Sequence, residues 1–364
     1  MFPDKIIMSY MVGGIMPLVL FIDMDYFFAA CEEARHPRLK SKALVVGTGT
    51  IARKERGVVQ TCNYVARGFG IHSAMPTAQA LKLKPDLVYL ESDDAYYEET
   101  SGKVMSLLRS HGFPIEPFSI DEAAMLLGDM DYDKAMDLAK GLKKEIKEKL
   151  RLPCTIGIST GKTYAKMVCD SSKPDGLGMV REQELMDFLK DRKVGTIPGV
   201  GPKLADKLHS MGIETISQMS RADPNVLIES IGSFGKELYM IANGKDYAKV
   251  QESSSVLSIG RERTLERETS DISELEPMLR QLSKEVYDEL SRKRMWFKGV
   301  SVKARYSDFT ERVRNRRFSG YSDSYDNLYG IAMELARGLA TSRVRKIGVR
   351  AYLLEPKGGQ RKIF

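Results

Sequence analysis

The stretch "LVLFIDMDYFFAACEEAR", residues 18–35, constrains the fold more than any other part of the chain. Leu18 to Ile22 are apolar at every position, so the strand they form must be buried. Asp23 ends the run, and a turn then leads into a helix. A carboxylate there stands at the edge of a core, where either a metal ligand or the first acid of a turn belongs. Asp25 could share its face or cap the following helix. The whole apolar stretch, Met11 to Ile22, is well short of the ~20 residues that cross a bilayer. No small-residue cleavage site follows it, which argues against a secretory signal. Met11 and Met16 could each be an alternative start.

Further along, strands and helices are mixed. "KALVVGTG", "LVYLESD", "CTIGIST" and "LGMV" read as strands, and "PIEPFSIDEAAMLL" reads as a hairpin. "AYYEETSGKVMSLLRSHG", "DKAMDLAKGLKKEIKEKL" and "GKTYAKMVCDSS" read as helices. This is an α+β pattern, with the helices expected on one face of the sheet. From about 183 to 250 only short helices follow, broken by "PGVG", "MGIET" and "IGSFG". "YAKVQESSSV" is a polar linker, and residues 256–355 read β-α-β-β-α-β, a split βαβ domain.

The four cysteines lie far apart without a CxxC, which fits a reducing cytoplasm and suggests neither a disulfide framework nor a zinc site. The four histidines are equally scattered, so oxygen ligands are expected for any metal. The net charge is +7, and ten Lys/Arg fall between Arg292 and Arg317 against Asp308 and Glu311. Lys303 and Arg305, then Arg312, Arg314 and Arg316, alternate. Period-two placement predicts one cationic sheet face suited to a phosphate backbone.

"FSIDEA" sets Asp121 beside Glu122 behind a short apolar run. Regular alternation would send them to opposite faces, and alone the pair reads as a turn. If this segment meets Asp23 in one sheet, three carboxylates converge, enough for two Mg²⁺ ions and in-line nucleotidyl transfer. In "TCNYVARGFG", Tyr64 and Arg67 share a helix face, and with Thr61 at the helix start they could grip a triphosphate. "GISTGKT" has one residue too few between its glycines for a P-loop. "IPGVGPKLADKLHSMGI" reads as a helix-hairpin-helix. Its Gly199 and Gly201 let backbone N–H groups approach DNA phosphates without reading bases.

In order, "FIDMDYFFAACEE", "NYVARGFGI", "SIDEA", "GISTGKTYAKMVCDSSKPDG", "IPGVG" and "RKIGVR" resemble the Y-family DNA polymerases of the DinB branch, over residues 17–355. The resemblance implies a right-hand polymerase: a ferredoxin-like palm (1–26 and 93–182), small α/β fingers (27–92) and a helical thumb (183–250). A linker (251–255), a split-βαβ little finger (256–355) and a C-terminal tail (356–364) would follow. It implies that Asp23, Asp121, Glu122 and the Met24 carbonyl hold two Mg²⁺ ions. Phe27, Phe28, Thr61, Tyr64, Arg67 and Lys173 would meet the incoming dNTP, with Phe28 as the steric gate against a ribose 2′-OH. Gly199, Gly201, Lys203, Lys303, Arg305, Arg345 and Lys346 would contact primer-template DNA. Two departures stand out. Met24 replaces a frequent aromatic residue, and Gly161-Lys162 replaces the usual Asn-Lys pair.

The expected protein is a monomeric, cytoplasmic, low-fidelity translesion polymerase without proofreading. The final "QRKIF" resembles a sliding-clamp peptide anchored by Gln360, Ile363 and Phe364. A catalytically silent DNA-binding scaffold is the alternative; a palm-like nucleotide cyclase would have no use for the helix-hairpin-helix or the cationic final domain.

Overall fold

The computed structural model describes residues 16–49, 57–252 and 256–357, and the chain divides into two compact units, 1–253 and 254–364. The polar linker, in part, and the Gln360, Ile363 and Phe364 anchors fall outside the described residues.

The first unit opens with β1 (Leu18–Met24) and α1 (Phe27–Arg35), followed by β2 (Leu44–Gly47), β3 (Val59–Cys62), α2 (Tyr64–Arg67), α3 (Thr77–Leu83) and β4 (Val88–Glu91). Next come α4 (Asp94–Ser110), β5 (Ile115–Pro117), β6 (Glu122–Gly128), α5 (Tyr132–Leu150), β7 (Cys154–Thr160), α6 (Lys162–Ser172) and β8 (Leu177–Met179). Short helices complete it: α7 (Leu185–Lys190), α8 (Pro202–Ser210), α9 (Ile216–Arg221), α10 (Pro224–Ile231) and α11 (Ser233–Ala242).

β1 is the middle strand of a five-stranded sheet ordered β5-β6-β1-β7-β8, and all seven of its residues are buried. The all-apolar run explains this, because both sheet faces are covered. Leu18, Leu20, Ile22 and Met24 join the core that α1, α4 and α5 close. Val19 and Phe21 meet Ala165 and Cys169 of α6. The expectation of helices on one face is therefore corrected. α6 lies so flat on the second face that a Cβ on Gly157 of β7 would stand 2.1 Å from the Cys169 nitrogen. β2, β3 and β4 form a separate three-stranded sheet ordered β3-β2-β4.

The turn into α6 is built around the other departure. Gly161 has φ +83°, and a Cβ there would sit 2.9 Å from Asp246. Asp246, following α11, uses that space to accept from the Thr163 N–H at 2.6 Å and cap α6.

The second unit is β9 (Ser258–Thr269), α12 (Ile272–Arg292), β10 (Met295–Tyr306), β11 (Glu311–Ser322), α13 (Tyr325–Arg337) and β12 (Val344–Pro356). Its antiparallel sheet runs β11-β10-β12-β9, and its core joins Val300, Val302 and Ala304 to the inner faces of α12 and α13.

Candidate active site

Alternation along β1 places Asp23 after Val19 and Phe21, on the side that α6 covers. Glu122 opens β6 directly opposite Asp23, so the two carboxylates share a face. α6 presents Lys166 and Asp170 there, and Lys173 follows at its C-terminal end, all on one helical stripe. Lys166 Nζ lies 2.6 Å from Glu122 and 3.7 Å from Asp170. Lys173 Nζ lies 2.5 Å from Asp23 and 3.5 Å from Asp170. One oxygen each of Asp23, Glu122 and Asp170 falls within 4.8 Å of the others. Three hard oxygen donors so close suit a hard divalent cation.

Asp121 stands outside that trio. It precedes β6 in a bend, its carboxylate accepts from Ser119 Oγ, and its carbonyl accepts from the Met24 N–H at 2.9 Å. Its backbone thus secures the end of β1, while its carboxylate feels the charges of Glu122 and Lys173.

The charges compete. Burial drives the Asp23 carboxyl up from its ordinary value, to about 8, and its hydrogen bond to Glu122 adds to the rise, against Lys173. Burial also opposes ionisation of Glu122, but hydrogen bonds from Asp23 and Lys166 outweigh it and hold Glu122 below the usual range. In the metal-free protein burial and the shared hydrogen bond thus push Asp23 towards its neutral form and Glu122 towards its charged form, the two titrating together.

Asp25 does not cap α1; it reaches Thr155, which stands opposite Asp23 in β7. Its buried carboxylate accepts from Thr155 Oγ1 at 2.9 Å and from the Asp175 N–H at 2.7 Å. It therefore ties the turn that follows Lys173 to β7. Sequence reading missed this tie, and it also passed over Lys166 and Asp170. The signal for the last two was available, since 166, 170 and 173 repeat at helical spacing on an otherwise apolar face.

On the neighbouring α1 and α2, the Phe28 ring is half-buried and stacks on Tyr97 of α4, centroids 4.5 Å apart and 13° from parallel. The Tyr97 hydroxyl is fixed by Glu32 at 2.9 Å. Arg67 lies over the Tyr64 ring at 4.7 Å, and Tyr64 meets Tyr26 edge-on at 5.3 Å. Two expectations change here. The Phe27 side chain is in the core, which leaves its backbone as the part able to meet a nucleotide. Thr61 is a buried residue of β3, and Asn63 rather than Thr61 begins α2.

Outside this cluster, Gly199 (φ +91°), Gly201 and Lys203 form an exposed corner at the start of α8, and a Cβ on Gly201 would meet nothing within 4 Å. In the second unit the expected single cationic face divides. Lys303 pairs with Gly348 and Arg305 with Lys346 across β10 and β12, on the open side. Arg312, Arg314 and Arg316 stand opposite Ala304, Val302 and Val300, on the helix side. Arg316 binds Glu334 of α13. The antiparallel register, invisible in the alternation itself, makes this division. Lys303 and Lys346 share Glu262, Arg305 holds Glu311 at 2.5 Å, and Arg345 sits at a register shift against Glu268.

Sequence models of known families match most of the chain. The impB/mucB/samB family matches residues 22–170, its C-terminal domain 256–362, and the IMS family HHH motif 182–213. A DNA polymerase IV of Methanoculleus marisnigri is 37% identical over 93% of this chain and 94% of its own length. DNA polymerase IV of Saccharolobus solfataricus is 34% identical over 92% of this chain and 95% of its own. Among solved structures, a Y-family DNA polymerase chimera of Dbh and Dpo4 superposes with TM-score 0.87 at 32% identity, covering 93% of this chain and 100% of its own. An insertion ternary complex of Dbh DNA polymerase gives 0.68 at 32% identity, covering 92% and 98%.

Proposed function

The chain belongs to the impB/mucB/samB family and is a DinB-type Y-family DNA polymerase, a DNA-directed enzyme of translesion synthesis; from that premise we propose how its own residues carry the reaction. The right-hand architecture of palm, fingers, thumb and little finger comes with the family. We assign the palm to 1–26 and 93–182, the fingers to 27–92, the thumb to 183–250 and the little finger to 256–355.

Asp23, Glu122 and Asp121, with the Met24 carbonyl, would hold two Mg²⁺ ions, which would supply charge stabilisation at the attacking and leaving oxygens. The observation that carries this reading is the carboxylate pair on neighbouring strands, faced by two lysines within 2.6 Å. Those lysines keep the acidic cluster assembled until cations and substrate enter. Lys173, Tyr64 and Arg67 then take the triphosphate of the dNTP, and Phe28, braced by Tyr97, leaves no room for a 2′-OH. Gly199, Gly201 and Lys203 hold primer-template DNA by its backbone, with Lys303, Arg305 and Lys346. Burial of the Asp23–Glu122 pair beside two cations favours a catalyst over a silent scaffold, because a scaffold gains nothing from the cost of confining those charges.

Primer extension tests the assignment. The purified protein with Mg²⁺, dNTPs and primed template should extend the primer, and Asp121→Ala should abolish extension. Activity intact in Asp121→Ala would remove Asp121 from the site. Phe28→Ala should admit ribonucleotides, and unchanged sugar discrimination would end its gate role. The same reading has the enzyme act as a cytoplasmic monomer that meets a sliding clamp through Gln360, Ile363 and Phe364. Among the described residues no helix is long and apolar enough to cross a membrane.

A further inference from the structure

α1 and α2 are each preceded by a residue whose side chain reaches the same buried carboxylate. Tyr26, at the N-terminal boundary of α1, donates its hydroxyl to Glu33 at 3.2 Å. Asn63, at the N-terminal boundary of α2, donates its amide to the other Glu33 oxygen at 2.7 Å. Glu33 is buried and forms no ion pair among the described residues, so these two hydrogen bonds offset the cost of its burial. Asn63 is fully engaged. Its second amide hydrogen goes to the Lys42 carbonyl, and its oxygen accepts from the N–H groups of Leu44 and Ala66. Tyr26 is held in the left-handed region at φ 39°, a conformation that costs free energy unless its surroundings fix it. Its ring also supports Tyr64.

We propose that Glu33 and Asn63 are positioning residues for the incoming nucleotide. Through Tyr26 and Asn63, Glu33 fixes the start of the helix that carries Phe28 against the start of the helix that carries Tyr64 and Arg67. The groups facing the sugar and those facing the triphosphate thereby keep one spacing. This rests on the polymerase reading above. The tie touches no reacting atom, so its loss weakens the grip on dNTP and leaves the chemical step in place.

Single-nucleotide insertion on primed template with Mg²⁺ tests it. Glu33→Ala should raise KM for dNTP about tenfold with kcat within about threefold of wild type. Glu33→Gln keeps an acceptor for Asn63 and offers Tyr26 an N–H from which its oxygen can accept in a reversed hydrogen bond, and should stay within about threefold on both constants. Tyr26→Phe removes one hydroxyl from an otherwise intact fold and should raise KM by about threefold, which covers the case in which Glu33→Ala does not fold. Unchanged KM in Tyr26→Phe and Glu33→Ala, a fall in kcat alone, or equal damage from Glu33→Gln and Glu33→Ala would each overturn the inference. If wild-type protein extends primers and the variants match it, only this inference falls. If wild-type protein extends none, the polymerase reading falls with it.

Discussion

Asp23 is buried, and its folded-state carboxyl has been driven from 3.8 to about 8, chiefly by burial and then by Glu122. A raised carboxyl stabilises the fold fully below its unfolded value, near pH 4, and that contribution is lost as pH rises through about 8. Asp23→Asn, neutral at every pH, should therefore melt several degrees above wild type in chelator near pH 9, at about 2–4 °C per kcal/mol. The gap should narrow towards pH 5, and insertion should be lost throughout. Melting curves at the two pH values check it; a wild type that is the more stable at pH 9 would contradict the burial argument. Lys166 has a different part. Lys166→Met should let Glu122 rise towards neutrality and lower kcat by at least about tenfold, with Lys166→Arg partly restoring it. A kcat unmoved by Lys166→Met would leave this lysine a surface partner only.

At the level of elements, Gly161 is one of the two positions that depart from the pattern expected of the resemblance, and the structure gives a physical reason for glycine there. Its backbone, φ +83° and ψ 152°, is one that only glycine adopts readily, and the place of a side chain is taken by Asp246. Gly161→Asn should cost about 1–3 kcal/mol through backbone strain and loss of the α6 cap, read as a lower melting temperature. Strands and helices themselves were legible because period two and period 3.6 survive in the apolar residues. Asp23 at the end of an all-apolar strand could be recognised for the same reason. What could not be read was pairing. Whether Asp121 or Glu122 faces Asp23 depends on where β6 begins, and β6 begins at Glu122. Arg312, Arg314 and Arg316 alternate as Lys303 and Arg305 do, yet the β10–β11 register turns them to the other side. Asp25 was opaque because its partners are 130 and 150 residues away.

For the molecule as a whole, the division of basic residues predicts a measurable asymmetry in DNA binding. Lys303→Ala and Lys346→Ala should each reduce the slope of log affinity against log salt by about 1. Arg316→Ala, whose guanidinium is committed to Glu334, should leave that slope near wild type. Glu262→Gln frees both lysines from their shared carboxylate and should tighten binding most at low salt. Equal slopes for all four variants would refute the division. Gly157 carries a last consequence. At Gly157 α6 rests directly on the backbone of β7, the strand hydrogen-bonded to β1, so the helix bearing Lys166, Asp170 and Lys173 is anchored to the sheet bearing Asp23 at a point with no side chain in the gap. Side chains that soften on warming cannot widen that gap. The spacing between the cations and the carboxylates should hold its cold value until the domain melts, and insertion rates should follow one straight Arrhenius line up to that point.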